Sequence, residues 1–237
     1  MTVTFDALTI DWFGLATIRL EGQTGAVVYV DPGPEAYDVL SGYEARDGDL
    51  ILVSHDHHYD PESIRRVANE DALLVVHDST DANEIDRVDE RPEELPFDVE
   101  RVSTDESFVL GPLDLFTTPA YNDSDGPHTD ENGIPYHPEG QGCGFGVTLD
   151  GTTAFWPGDT DVLPVHADVP VDILFPPIGG TFTMDRHEAA ALAARLEPDL
   201  VLPVHYDTFE AIETDAESFV VDVATSGVPV VLDRDET

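Results

Sequence analysis

Alternating and continuous apolar segments divide the chain into short strands before any chemistry is considered. Residues 8–13, 16–21 and 26–30 read as strands joined by tight turns, and the Gly-bounded turn over 22–25 is hairpin-like. The apolar runs at 50–53, 72–76 and 200–204, and Asp172-Ile173-Leu174-Phe175, suit buried strands. Residues 108–110 and 113–117 flank a Gly-Pro turn. Residues 145–149 and 152–156 flank Asp150-Gly151, a two-residue hairpin signal, and 228–232 supply a closing strand. Helical patterns follow Pro61 over 62–70 and run from Asp185 to Leu196 and from Thr214 to Gly227. Asp185 with Glu188, and Thr214 with Glu217, carry the spacing of capping boxes. The order is β-rich then helical, twice over, with no low-complexity linker, so residues 1–237 read as a single domain. The economical packing is an α/β fold with two sheets face to face and helices outside, a four-layer αββα sandwich.

Residues 119–142 break this rhythm. They are rich in Gly, Pro, Asp and His, lack periodicity, and hold His128 and His137; loops of this length are usually functional or mobile. The glycines between 140 and 146 look superficially like a nucleotide loop. They lead into a hairpin, however, whereas a dinucleotide fingerprint follows a strand and opens a helix.

Candidate chemistry concentrates in Ser54-His55-Asp56-His57-His58-Tyr59-Asp60, a strand-to-helix loop with three imidazoles and two carboxylates. His55 and His57, two apart, can turn both rings toward one ion, and imidazole and carboxylate are ligands that zinc, iron and manganese accept. Asp60 reads equally well as the N-cap of the following helix, with Pro61 in its first turn. His137, Asp159 and His205 are further candidate ligands, assigned to strand ends. Asp31 closes a strand where a carboxylate could support a metal site, or simply belongs to an Asp-Pro turn. His77 reads as structural and His187 as an exposed helix residue.

Composition changes the picture in one respect. Fifty acidic residues oppose ten basic ones, all Arg, for a formal net charge of −40. Such a field repels nucleic acid and anionic membranes, and it suits a protein kept soluble in very high salt, where self-repulsion is screened. The apolar runs are evenly spread, so disorder fits only the termini and residues 81–98. The single cysteine, Cys143, allows no intramolecular disulfide and reads as a small buried thiol. No signal peptide or membrane-length apolar run is visible, which points to the cytoplasm.

These motifs together resemble the metallo-β-lactamase superfamily, and more narrowly its branch of L-ascorbate-6-phosphate lactonase and related metal-dependent hydrolases. The resemblance spans nearly the whole chain. It rests on Asp31-Pro32, Ser54-His55-Asp56-His57, Pro119-Ala120-Tyr121-Asn122, His137-Pro138 with its following glycines, Gly158-Asp159-Thr160-Asp161, Pro177-Ile178-Gly179-Gly180 and Pro203-Val204-His205-Tyr206. It implies that His55, His57 and His137 hold a first metal, that Asp159 bridges to a second, and that His205 binds the second. The family's His-x-His-x-Asp-His motif departs here at its last two positions, occupied by Tyr59 and Asp60. Asp60 is then expected to reach the second ion from a displaced position, with His58 a remote reserve, and Tyr59 to donate to an oxyanion. A His common near the family's start is replaced by Gly14-Leu15-Ala16. The implied cofactor is one or two divalent ions (Zn, Mn or Fe). The implied activity is hydrolysis of a small soluble lactone, ester, amide or phosphodiester by metal-bound hydroxide, with Asp159, Asp60 and Tyr59 as catalytic residues. The alternative is a non-catalytic metal-binding sensor or scaffold. Neither nucleic acid nor membrane is an expected partner, and a homo-oligomer is left open.

Overall fold

The computed structural model describes residues 1–232. The first sheet has seven strands in chain order: β1 (Thr2–Phe5), β2 (Leu8–Gly14), β3 (Thr17–Glu21), β4 (Val27–Val30), β5 (Gly48–Val53), β6 (Ala68–His77) and β7 (Asp98–Val102). The pairs up to β4 are antiparallel, and those from β4 to β7 are parallel. The second sheet joins β8 (Ser107–Leu110), β9 (Leu113–Pro119), β10 (Cys143–Leu149) and β11 (Thr152–Trp156) antiparallel. It then adds the two-residue strands β12 (Ile173–Leu174) and β13 (Leu200–Val201) in parallel.

The apolar runs behave as burial on both faces requires. In β4 and β5, Val28, Val30, Leu50 and Leu52 enter the cluster shared by the two sheets. Val27, Tyr29, Ile51 and Val53 enter a second cluster on the outer face of the first sheet, capped by Ile64 and Val67 of α1 (Pro61–Val67). On the other side α2 (Arg186–Leu196) and α3 (Ala216–Thr225) pack on each other and bury Ala189, Leu192, Phe219 and Val223 in the larger cluster. This is the expected α/β arrangement of two stacked sheets with helices outside. The glycine run before 146 has a packing cause. A Cβ on Gly146 would lie 2.0 Å from the Phe116 ring, and one on Gly144 would lie 2.7 Å from the Pro157 backbone.

Several expectations are corrected. The first helix stops at Val67 because Ala68 is already extended and opens the ten-residue β6. The capping box at Asp185 and Glu188 is present, whereas Asp215 rather than Thr214 caps α3. Of 228–232 only Val230 makes a bridge, to Val201. Residues 2–5 form a strand, not a disordered terminus. Residues 81–98 are folded as well, because Ala82, Ile85, Val88 and Leu95 bury themselves in the outer cluster among the acidic positions. Residues 233–237, also expected to be disordered, lie outside the described residues. No described helix is long and apolar enough to cross a membrane.

Candidate metal centre

Three strands end at the same edge, and their following residues supply the chemistry. After β5, His55 heads a 3-10 turn over Asp56–His58. Such a turn has three residues per revolution, so residues i and i+3 eclipse. His55 and His58 therefore share a side, with ring centroids 4.7 Å apart, and Tyr59 is carried away. Treating the segment as an open loop ranks His58 as remote, and the structure corrects this. The i,i+3 spacing is the signal that could have found it.

Asp159, after β11, sits at the middle. Its Oδ2 lies 3.2 Å from His205 Nε2, 3.3 Å from His137 Nε2 and 3.7 Å from His55 Nε2, and its Oδ1 lies 3.5 Å from His58 Nε2. His57 Nδ1 lies 3.3 Å from His137 Nε2, and His57 is the exposed member. His205, after β13, holds a left-handed backbone (φ 55°), fixed by its N–H donating to the Leu15 carbonyl. His137 comes from the long loop rather than a strand end. It is placed by Asn122, which exchanges backbone and side-chain hydrogen bonds with it.

The ring orientations follow from the donors behind them. Ser54 Oγ and N–H both donate to Asp31, so the Ser54 oxygen is left to accept from His55 Nδ1 at 2.9 Å. The Phe182 carbonyl, 3.0 Å from His137 Nδ1, can only accept. Both imidazoles then turn an Nε2 lone pair into the centre, as a metal ligand requires. Asp31 is the supporting carboxylate and not a mere turn residue. It is wholly buried and also accepts from Trp156 Nε1 at 2.8 Å. Asp161 supports the centre from one layer further out, accepting from Asn122 Nδ2 and pairing with His128 at 2.6 Å. His128 is thereby occupied away from the centre.

The electrostatics suit a cation. Burial pushes the His55 pKa well below its ordinary value and lowers that of His137 to about 4, against the pull of Asp159, so both rings are neutral at pH 7. Burial alone would raise the Asp159 carboxyl, but His205 and His58 hold it well below the usual range. Burial would likewise lower His58, yet Asp31 and Asp159 outweigh it and raise its pKa. Among the described residues, His55 Nε2, both ring nitrogens of His58, Asp159 Oδ1 and His205 Nδ1 are buried with no hydrogen-bond partner. Buried polar atoms are normally satisfied. Here the orphaned atoms of His55, His58 and Asp159 fall in one candidate ligand set, and His55, His57 and His137 form another, with the ligand atoms of each set within 4.8 Å of one another. This donor set fits divalent metal.

Two expected site residues lie elsewhere. Asp60 caps α1, its Oδ1 accepting from the Ser63 N–H at 2.9 Å, because Pro61 starts the helix immediately behind it. Tyr59 is fully buried in the outer cluster, its hydroxyl donating to the Glu90 carbonyl at 3.0 Å, and burial raises its pKa. Neither is in a metal-ligand set. An unforeseen residue fixes the loop instead. Arg87 donates to the carbonyls of Asp56, His57 and Tyr59 at 3.1, 2.6 and 2.8 Å. This division of roles is testable. Asp60→Ala should cost about 1 kcal/mol through the lost cap and leave the metal count unchanged. His58→Ala should remove an ion. Melting curves and metal analysis of the two variants distinguish them, and a metal loss in Asp60→Ala would return that residue to the centre.

A two-sheet sandwich that gathers four imidazoles, three from strand ends and one from the long loop, around a buried carboxylate is a metallohydrolase scaffold. The chain matches the family model described as Beta-lactamase superfamily domain over residues 9–205. It is 30% identical over 217 residues to a UPF0173 metal-dependent hydrolase of Thermococcus kodakarensis, covering 89% of both chains, and 29% identical over 236 residues to one of Pyrococcus furiosus, covering 96% and 97%. The chain is therefore a member of the β-lactamase superfamily and, within it, of the UPF0173 metal-dependent hydrolases. Among solved structures, a protein of Parabacteroides distasonis superposes with a TM-score of 0.76 at 24% identity, covering 98% and 96% of the two chains. Igni18, a metallo hydrolase of Ignicoccus hospitalis, superposes at 0.71 with 21% identity, covering 96% and 95%. These two likenesses bear on the fold.

Proposed function

We propose that residues 1–237 act as one domain that hydrolyses a small soluble lactone, ester or amide with two divalent ions, of the Zn, Mn or Fe kind. The observation that carries this reading is the convergence of the partnerless buried nitrogens His55 Nε2 and His58 Nε2 on Asp159, which His205 Nε2 also approaches at 3.2 Å. His55, His57 and His137 would hold one ion. His58 and His205 would hold the other, with Asp159 between them. Bound divalent ions supply Lewis acidity, which lowers the pKa of water and polarises a carbonyl. The chain's own contribution is orientation. Ser54 and Asp31 fix the proton on His55 Nδ1, the Phe182 carbonyl fixes it on His137 Nδ1, and Arg87 holds the His loop in its 3-10 form. Tyr59 and Asp60 take no part. With ions bound, Asp159 would serve as a ligand among the imidazoles and would not be free as an acid or base. The soluble substrate and the strongly acidic surface accord with a cytoplasmic enzyme working in concentrated salt.

The test is metal analysis joined to turnover. Purified protein saturated with Mn or Zn should hold two ions per chain and cleave generic chromogenic esters, and chelation should stop turnover until metal is restored. A chain holding one ion at saturation ends the two-metal form of the reading. Two ions with no turnover of esters, lactones or amides ends the hydrolytic form.

A further inference from the structure

The surroundings of the centre are markedly unequal, and the inequality bears on what is bound. On the side of Ala120, Pro138 and Gly142 the cavity is only about 20 Å³, room for about one water. On the side of His58 and His205 a cavity of about 270 Å³ opens, walled by Leu15, Tyr37, Tyr136, Phe182 and Phe209. The aromatic rings form a continuous arc. Tyr37 stacks on Phe209 with centroids 5.0 Å apart and planes within 17°, Phe209 meets Phe182 at 6.4 Å, and Phe182 takes Tyr136 edge-on at 4.9 Å. The four rings come from four separate segments, none of them a strand or α-helix. Tyr37 is 41% exposed at the rim.

From this geometry we infer that the wide cavity receives the uncharged apolar end of the substrate, an aryl or alkyl group carried on the scissile carbonyl, and that it discriminates against an anionic end. The inference rests on the hydrolase reading for the carbonyl and on the cavity itself for the group. About 150 Å³ lined by apolar side chains is enough to bind benzene, so this cleft accommodates one ring and its carbonyl. Recognition of a carboxylate or phosphate calls for guanidinium, ammonium or clustered N–H donors. Among the described residues no Arg lines the cavity, and the chain has no Lys. Arg87, which holds the His loop, spends its guanidinium on three backbone carbonyls. The net charge of −40 adds a field that opposes anions at low salt.

The experiment uses the zinc-saturated full chain in molar KCl, where the overall field is screened and the cleft's own chemistry is read. Two probes of equal length are compared, 4-nitrophenyl hexanoate and mono-4-nitrophenyl adipate, which differ in a distal carboxylate. The neutral ester should show a kcat/KM at least about tenfold higher, and Phe209→Ala and Phe182→Ala should each raise its KM by about tenfold, the scale of lost apolar contacts in a substrate pocket. Metal content should be unchanged in both variants. Binding is read separately by saturation-transfer NMR with benzamide, whose ring protons should receive saturation from the wild type and much less from either variant. Equal kcat/KM for the two esters, with KM unmoved by both substitutions, would overturn the inference and leave the hydrolase standing. Benzamide binding lost in the variants, with no ester cleaved by the wild type, would leave the cleft standing and remove the hydrolase. Absence of benzamide saturation in the wild type would overturn the cleft whatever the turnover.

Discussion

Asp159→Asn should abolish turnover and strip the centre of at least one ion, while the fold survives. The change is nearly isosteric, so packing around the position is kept. What is lost is the negative charge on which four imidazoles converge, at 3.2 to 3.7 Å from its two oxygens. An amide is a much weaker ligand than a carboxylate and cannot neutralise two cations. A metal ion contributes several kcal/mol of charge stabilisation to a hydrolytic transition state, and each 1.36 kcal/mol is a factor of ten, so the expected loss in kcat is on the order of 10³-fold or more. Metal analysis, turnover and a melting curve on the same preparation check it. An Asn variant with two ions and near-native rate would remove Asp159 from the centre of the reading.

Transfer to low salt should unfold the protein cooperatively, and return to molar KCl should restore it. Forty carboxylates have no basic counterpart in the chain. Arg19 alone meets Asp11, Glu21 and Asp47 at 2.7 to 3.2 Å. At 0.01 M salt the Debye length is about 30 Å, so every surface carboxylate feels most of the others; in molar salt it is about 3 Å and only neighbours count. Self-repulsion summed over such a surface competes with a net stability that is only about 5–15 kcal/mol in ordinary domains. Circular dichroism during stepwise dialysis reads the transition directly. A melting temperature that does not move between the two conditions would show that the composition is not an adaptation to salt.

How far the chain could be understood before its structure depended on the kind of signal each segment carries. Strands buried on both faces, such as 50–53 and 173–175, have no room for polar residues and so declare themselves. The Asp185 cap does so because two residues three apart satisfy each other's backbone. Histidines and the aspartate adjoining recognisable strands could be nominated in the same way, and the structure brings His55, His57, His137, Asp159 and His205 together. His58 and Tyr59 exchange their expected places because their directions depend on a single 3-10 turn, which no hydrophobic period reveals. Arg87 was invisible for a different reason. It acts on backbone carbonyls 28 to 31 positions away, and any residue type can offer those. The acidic density of 81–98 concealed four buried apolar positions, Ala82, Ile85, Val88 and Leu95, set among charged neighbours.

The shared carboxylate of Asp31 also has a bearing on folding kinetics. Its donors stand 23 and 125 positions away along the chain: Ser54 in the same sheet, Trp156 in the other. The first contact can form while only the early strands exist, and the second must wait for long-range closure, the slow stage in assembling a topology rich in distant pairings. A chain at the earlier stage owns the imidazoles of its first loop but lacks Asp159 and His205, so its hold on a cation is weak. Tight chelation then arises after the rate-limiting step. Added metal is therefore expected to leave the refolding rate nearly unchanged and to slow unfolding, lengthening the lifetime of the native protein without trapping half-assembled chains.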